Sequence, residues 1–77
     1  MPLIAPVKRK KFELFLKYIG CYHKRTKGDH MIYDRPGLKR PVVITADDEV
    51  PSFIVRSNLR TLEMDTNQYL EIIKKLK

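Results

Sequence analysis

The succession of hydrophobic periods along the chain predicts a two-layer α+β fold of order α-β-β-β-α-α, built on a three-stranded antiparallel sheet. Three observations carry this reading. A helical stripe occupies residues 8–19, a period of two takes over between residues 21 and 46, and two further helical stripes fill residues 52–77. Strands joined by short glycine-bearing turns run antiparallel, and the apolar face of such a sheet must be covered by helices. The 77 residues contain no repeat, low-complexity stretch or long linker, so residues 1–77 are read as one domain whose first seven residues form a flexible N-terminal segment. A chain this short has a folding margin on the order of a few kcal/mol unless a partner adds to it.

The first helix follows from Phe12, Phe15, Leu16 and Ile19 at i, i+3, i+4, i+7, with Gly20 as its stop. The basic run Lys8, Arg9, Lys10, Lys11 opens this helix, where cations sit badly with the dipole, so the run is expected to fray or to face an anion. Strands are then expected at 21–26, 30–35 and 41–46, separated by Lys27-Gly28-Asp29 and by Pro36-Gly37. Pro41 falls at the start of the third strand, where a missing N–H is tolerated. Asp47, Asp48 and Glu49 form an acidic loop that ends at Pro51, and Ser52 is the expected cap of a second helix carrying Val55, Leu59 and Leu62. That helix should end near Glu63 or Met64. Asp65 and Gln68 have capping-box spacing, and Tyr69, Ile72, Ile73 and Leu76 make the stripe of a third helix.

Sixteen Lys and Arg against nine Asp and Glu give a net charge of +7, and the surplus is concentrated in residues 1–40, which hold 11 basic and 3 acidic groups. Such a surface attracts phosphate backbones, anionic lipid or an acidic protein, and charge alone does not choose among them. The single Cys21 excludes a disulfide framework, and with only His23 and His30 besides, no four-ligand zinc site of Cys and His can be assembled. No metal or other cofactor is expected. No run approaches the ~20 apolar residues that span a bilayer, and the expected location is the reducing cytoplasm, with no membrane partner.

His30 enters the second strand directly after a glycine-bearing turn and lies close in sequence to Lys24, Arg25 and Lys27. An imidazole among fixed cations offers what RNA cleavage by the neighbouring 2′-hydroxyl requires: a proton carrier near neutral pH and positive charge for the phosphorane. A strand histidine also commonly tops a core or hydrogen-bonds a turn. His23 shares the parity of Cys21 and Arg25 and is a weaker candidate for a second proton-transfer group, while Tyr22 and Tyr33 could stack on bases or simply pack. Asp29 could orient the imidazole or cap the turn. The last two helices superficially suggest a DNA-reading helix-turn-helix, but Lys74, Lys75 and Lys77 sit at the far end of the would-be recognition helix and suit its dipole.

The segment from Gly20 to Tyr33 with its Gly28-Asp29-His30 turn, the strand Val42-Val43-Ile44, and Ser57-Asn58-Leu59-Arg60-Thr61-Leu62 together resemble the HicA-like bacterial toxins, also called the YcfA-like family. The resemblance covers nearly the whole chain after the first seven residues. It implies a double-stranded-RNA-binding-domain-like sandwich, metal-independent cleavage of messenger RNA, and neutralisation by a HicB-type antitoxin. Lys27, Gly28 and His30 match the family's Lys-Gly-x-His turn, which makes His30 the expected catalytic residue. Lys24, Arg25, Lys27 and Gly28, with Lys10 and Lys11, are the expected RNA-binding residues, and Arg35, Lys39 and Arg40 would extend the track. Asp29 stands where the family usually has Ser, and Thr45-Ala46-Asp47-Asp48 replace a Pro-x-His loop. The alternative is a non-catalytic RNA-binding or partner-docking module on the same fold.

Overall fold

The structure, a computed structural model, describes residues 4–76. Its elements are β1 (Val7–Lys8), α1 (Arg9–Tyr18), β2 (Tyr22–Lys27), β3 (His30–Asp34), β4 (Val42–Thr45), β5 (Glu49–Val50), α2 (Ser52–Thr61) and α3 (Thr66–Lys75). The central sheet is the expected antiparallel meander β2-β3-β4, and the three helices and their order are those of the hydrophobic stripes. The chain is α+β, as its periods require.

The core forms where the stripes meet. Phe12, Phe15 and Leu16 of α1, Tyr33 of β3, Val42 and Ile44 of β4, Val55 and Leu59 of α2 and Tyr69 of α3 are all buried. Tyr69 stands edge-on to Phe15 with ring centroids 4.9 Å apart, which ties α3 to α1. Asn58, the buried polar side chain of α2, donates from Nδ2 to the Val43 carbonyl at 3.3 Å and so satisfies part of the free edge of β4.

Helix ends follow a shared logic. At the end of α1, Gly20 takes φ +93°, its N–H donates to Lys17 O, and the Cys21 N–H reaches back to Leu16 O at 2.8 Å. The end of α2 repeats this pair of bonds, from Glu63 N to Arg60 O and from Met64 N to Leu59 O, but with Glu63 at φ 55° where glycine would be unstrained. At α3 the capping box is present, the Asp65 N–H donating to Gln68 Oε1 at 3.4 Å.

Three expectations need correction. Val7, expected in a flexible segment, and Lys8, expected to open the first helix, pair with residues 49–50 of the expected acidic loop: Val7 lies opposite Val50 and Lys8 opposite Glu49. Ile4 is buried in the core beside them, whereas residues 1–3 of the same segment lie outside the described residues. Two-residue strands are too short to show a period, so this ribbon left no mark in the sequence. Second, Ser52 does not cap α2; it is the first helical residue, and the Pro51 carbonyl accepts the N–H groups of Ile54 and Val55. Third, β2 is not a continuous alternating strand. Its register against β3 passes from His23 opposite Tyr33 to Arg25 opposite Ile32, which leaves Lys24 as the extra residue of a bulge.

Candidate functional site

The β2–β3 hairpin turns through Gly28 and Asp29, and Gly28 supplies φ 61° at the first of these two positions. A tight two-residue hairpin with glycine there matches the right-handed twist of the flanking strands. The turn sets His30 directly opposite Lys27, and on its other side β4 sets Thr45 opposite His30. Cross-strand partners hold their Cβ atoms about 5 Å apart, so Lys27, His30 and Thr45 form one row.

Tyr33 and Ile44 are buried, and side chains alternate along β3 and β4, so His30, Ile32, Val43 and Thr45 occupy the face opposite the core. Arg25, paired with Ile32, and Lys27, paired with His30, are on that face too. The bulge adds Lys24, whose Nζ lies 3.5 Å from Asp34 Oδ2. The same bulge separates His23 from Arg25, against the parity reading. His23 faces Tyr33 with ring centroids 5.4 Å apart, and its Nε2 lies 2.8 Å from Thr26 Oγ1. The structure therefore groups Lys24, Arg25, Lys27, Gly28 and His30 on one hairpin and leaves His23 on the other face.

Asp29 Oδ1 lies 3.1 Å from His30 Nδ1, with the two side chains 79% and 56% exposed. A carboxylate on Nδ1 favours the tautomer protonated there and leaves Nε2 as the nitrogen free to meet a ligand. Beneath the site, the Ala46 N–H donates to Asp29 O at 2.8 Å, the Arg9 guanidinium donates to Ala46 O at 2.6 Å, and the Arg9 N–H donates to Asp48 O at 2.8 Å. This chain of bonds carries the start of α1 to the His30 end of the sheet. Lys8, Lys10 and Lys11, with Leu14 and Asp48, line a shallow cavity of about 470 Å³ there. Arg9 itself meets an anion, Glu13 Oε2 at 3.5 Å, so the basic run is anchored rather than frayed.

Glu13 also accepts the Tyr33 hydroxyl, and burial together with this bond holds the phenol well above its ordinary pKa. Burial likewise raises the Cys21 thiol, which Arg35 only partly offsets. Arg35 lies past the far end of β3, so Arg35, Lys39 and Arg40 are not part of the His30 cluster. Thr45, the cross-strand partner of His30, escapes sequence reasoning because only the β3–β4 register brings the two together. Among the described residues, no three His, Cys, Asp or Glu side chains are grouped to hold a metal ion, and no helix is long and apolar enough to cross a membrane.

The model of the HicA toxin of bacterial toxin–antitoxin systems matches residues 9–64. The chain belongs to the HicA toxin family. The matched span begins with α1 and ends just past α2, so it contains the hairpin, the whole three-stranded sheet and the Leu-Arg-x-Leu segment at Leu59-Arg60-Thr61-Leu62, and leaves out β1 and α3. HicA proteins are the toxin half of a toxin–antitoxin pair, and the counterpart of this chain is an antitoxin. No match was found among curated proteins or solved structures.

Proposed function

We propose that this HicA toxin is a metal-independent endoribonuclease that cuts messenger RNA through His30 and is neutralised by a HicB-type antitoxin. The observation that carries the reading is the exposed imidazole at the hairpin turn, oriented through Nδ1 by Asp29 and set in a row with Lys27. His30 Nε2 takes the proton of a 2′-hydroxyl as that oxygen bonds the adjacent phosphorus. The phosphorus to 5′-oxygen bond breaks, and the imidazolium returns a proton to the departing oxygen. The products are a 2′,3′-cyclic phosphate and a 5′-hydroxyl. Lys27, Arg25 and Lys24 supply fixed positive charge as negative charge builds on the phosphorane, and Lys10 and Lys11 hold flanking phosphates.

The test is incubation of the wild type and His30→Ala with a long RNA in EDTA, with fragment ends analysed. Cleavage by the wild type alone, leaving cyclic-phosphate ends, is expected. Because His30 is exposed, the variant should melt at the wild-type temperature. Intact RNA in both samples, with binding retained, would replace the enzyme with an RNA-binding or antitoxin-docking module.

A further inference from the structure

At the opposite end of the sheet, the β3–β4 connection and the last turn of α2 enclose a cleft of about 390 Å³ whose lining includes Arg35, Lys39, Arg40, Ser57, Arg60 and Glu63. We propose that this cleft is a second anion subsite, which holds a backbone phosphate of the RNA several nucleotides away from the bond at His30. The proposal rests on the reading of the chain as an RNA-cutting enzyme and gives its substrate a second point of attachment.

Four cations face one carboxylate in this concavity. Gathering like charges raises the local potential, and a concave surface with low-dielectric walls concentrates it, so the arrangement calls for an anion. Within the protein none of Lys39, Arg40 and Arg60 is supplied with one, since the ion pairs among the described residues are Arg9 with Glu13, Lys24 with Asp34 and His30 with Asp29. The terminus of α2 accounts for Arg60 alone, because a cation in the last turn suits the helix dipole. Lys39 and Arg40 reach the same cleft from the β3–β4 connection, outside any helix, so helix position does not account for their presence there.

Part of the cleft is already fixed. Arg35 donates from Nη1 to the Ile19 carbonyl at 3.1 Å, and its stem packs beside Gly20, 3.6 Å from where a Cβ would stand. A guanidinium anchored through one nitrogen keeps further donors free and loses little entropy when it meets a phosphate. On α2, Ser57 lies one turn before Arg60, which brings a hydroxyl donor to the same side as the guanidinium. The buried Leu59 and Leu62 explain the leucines of the Leu-Arg-x-Leu segment as core, whereas the exposed Arg60 between them has no packing role.

From His30 at one end of β3 to Arg35 past the other the backbone alone spans about 17 Å, and the path from the outer face of the sheet to a cleft walled by α2 is longer still. Several successive nucleotides cover that distance, so a bound strand can engage both ends while a very short RNA cannot.

The experiment measures binding in a His30→Ala background, where no RNA is cut, using a labelled RNA of about three nucleotides and one of about twelve. Arg60→Gln is expected to weaken the long RNA about fivefold and to reduce its salt slope by about 1, while the short RNA binds as before. Arg60→Lys should recover most of the loss, and Lys39→Gln, in a loop outside every helix and strand, should repeat the pattern of Arg60→Gln. Equal weakening of both RNAs, no weakening, or no RNA binding at all would overturn the subsite. So would a loss of antitoxin binding with RNA binding intact, which would make the cleft a protein-docking surface. A wild type that leaves RNA uncut while the length-dependent loss persists would remove the cleavage reading and keep the subsite.

Discussion

Asp29 has two opposed effects on its neighbour. Its carboxylate, 3.1 Å from His30 Nδ1, orients the imidazole, and the same charge repels a phosphate brought to that imidazole. Interactions between exposed charges change an equilibrium by up to about fivefold and are screened by salt. Asp29→Ser is therefore expected to tighten RNA binding about two- to fivefold at low salt, with the gain vanishing at ~1 M salt, and to lower the single-turnover cutting rate as the orienting partner is lost. Unchanged affinity at low salt would show that the carboxylate does not face the phosphate. Tyr33 offers a second test at this scale. Its hydroxyl donates to Glu13 from across the core, and a bond to a charged acceptor is worth about 1.5–3 kcal/mol. Tyr33→Phe should lower the unfolding free energy by about that amount in urea titrations, and a loss below 0.5 kcal/mol would mean that water replaces the phenol at Glu13.

Among the elements, the end of α2 contains backbone strain that a substitution can remove. Glu63 occupies the left-handed position that Gly20 fills at the end of α1, at a cost of about 1–2 kcal/mol for a residue with a side chain. Glu63→Gly is expected to stabilise the protein by about 1 kcal/mol, less than the full strain because glycine loses more freedom on folding. A decrease in urea midpoint would show that the Glu63 side chain makes contacts worth more than the strain. The helices and the meander were legible in the sequence because each repeats its period over ten residues in the helices or is bracketed by glycine and proline turns in the sheet. The Gly28-Asp29-His30 turn was legible for the same local reason. What escaped is of a different kind. The bulge at Lys24 inverts the parity of every residue before it, and nothing in Tyr22-His23-Lys24-Arg25 announces an inserted residue, so parity alone puts His23 on the wrong face. Thr45 opposite His30, and Arg60 in one cleft with Lys39, are juxtapositions made by register and by helix packing, which a linear reading cannot show.

For the molecule as a whole, the buried phenols limit stability at high pH. Burial pushes the Tyr69 phenol up to about 12 from its ordinary 10.0, and Tyr33 is raised in the same direction. Between those values the unfolded chain has released a proton that the folded chain retains, so each rise in pH favours unfolding. The melting temperature should be flat up to pH ~9 and fall as pH climbs from ~10 towards ~12, and Tyr69→Phe should reduce that fall. A Tyr69→Phe curve parallel to the wild type would assign the alkaline loss to other groups. The β1–β5 ribbon acts on a different property, the order in which the chain assembles. It joins Val7 to Val50 across more than half of the sequence, while the hairpin and meander form from neighbouring segments. Closing the longer loop is entropically slower and comes after the local pairings. Amide hydrogen exchange should therefore find Val7 and Val50 less protected than Met31 and Ile32. While the ribbon is open, the hairpin already presents its imidazole, but Lys8–Lys11 are not held at that end of the sheet. On the proposed reading, a newly made chain therefore gains its full grip on RNA only once its two shortest strands have met.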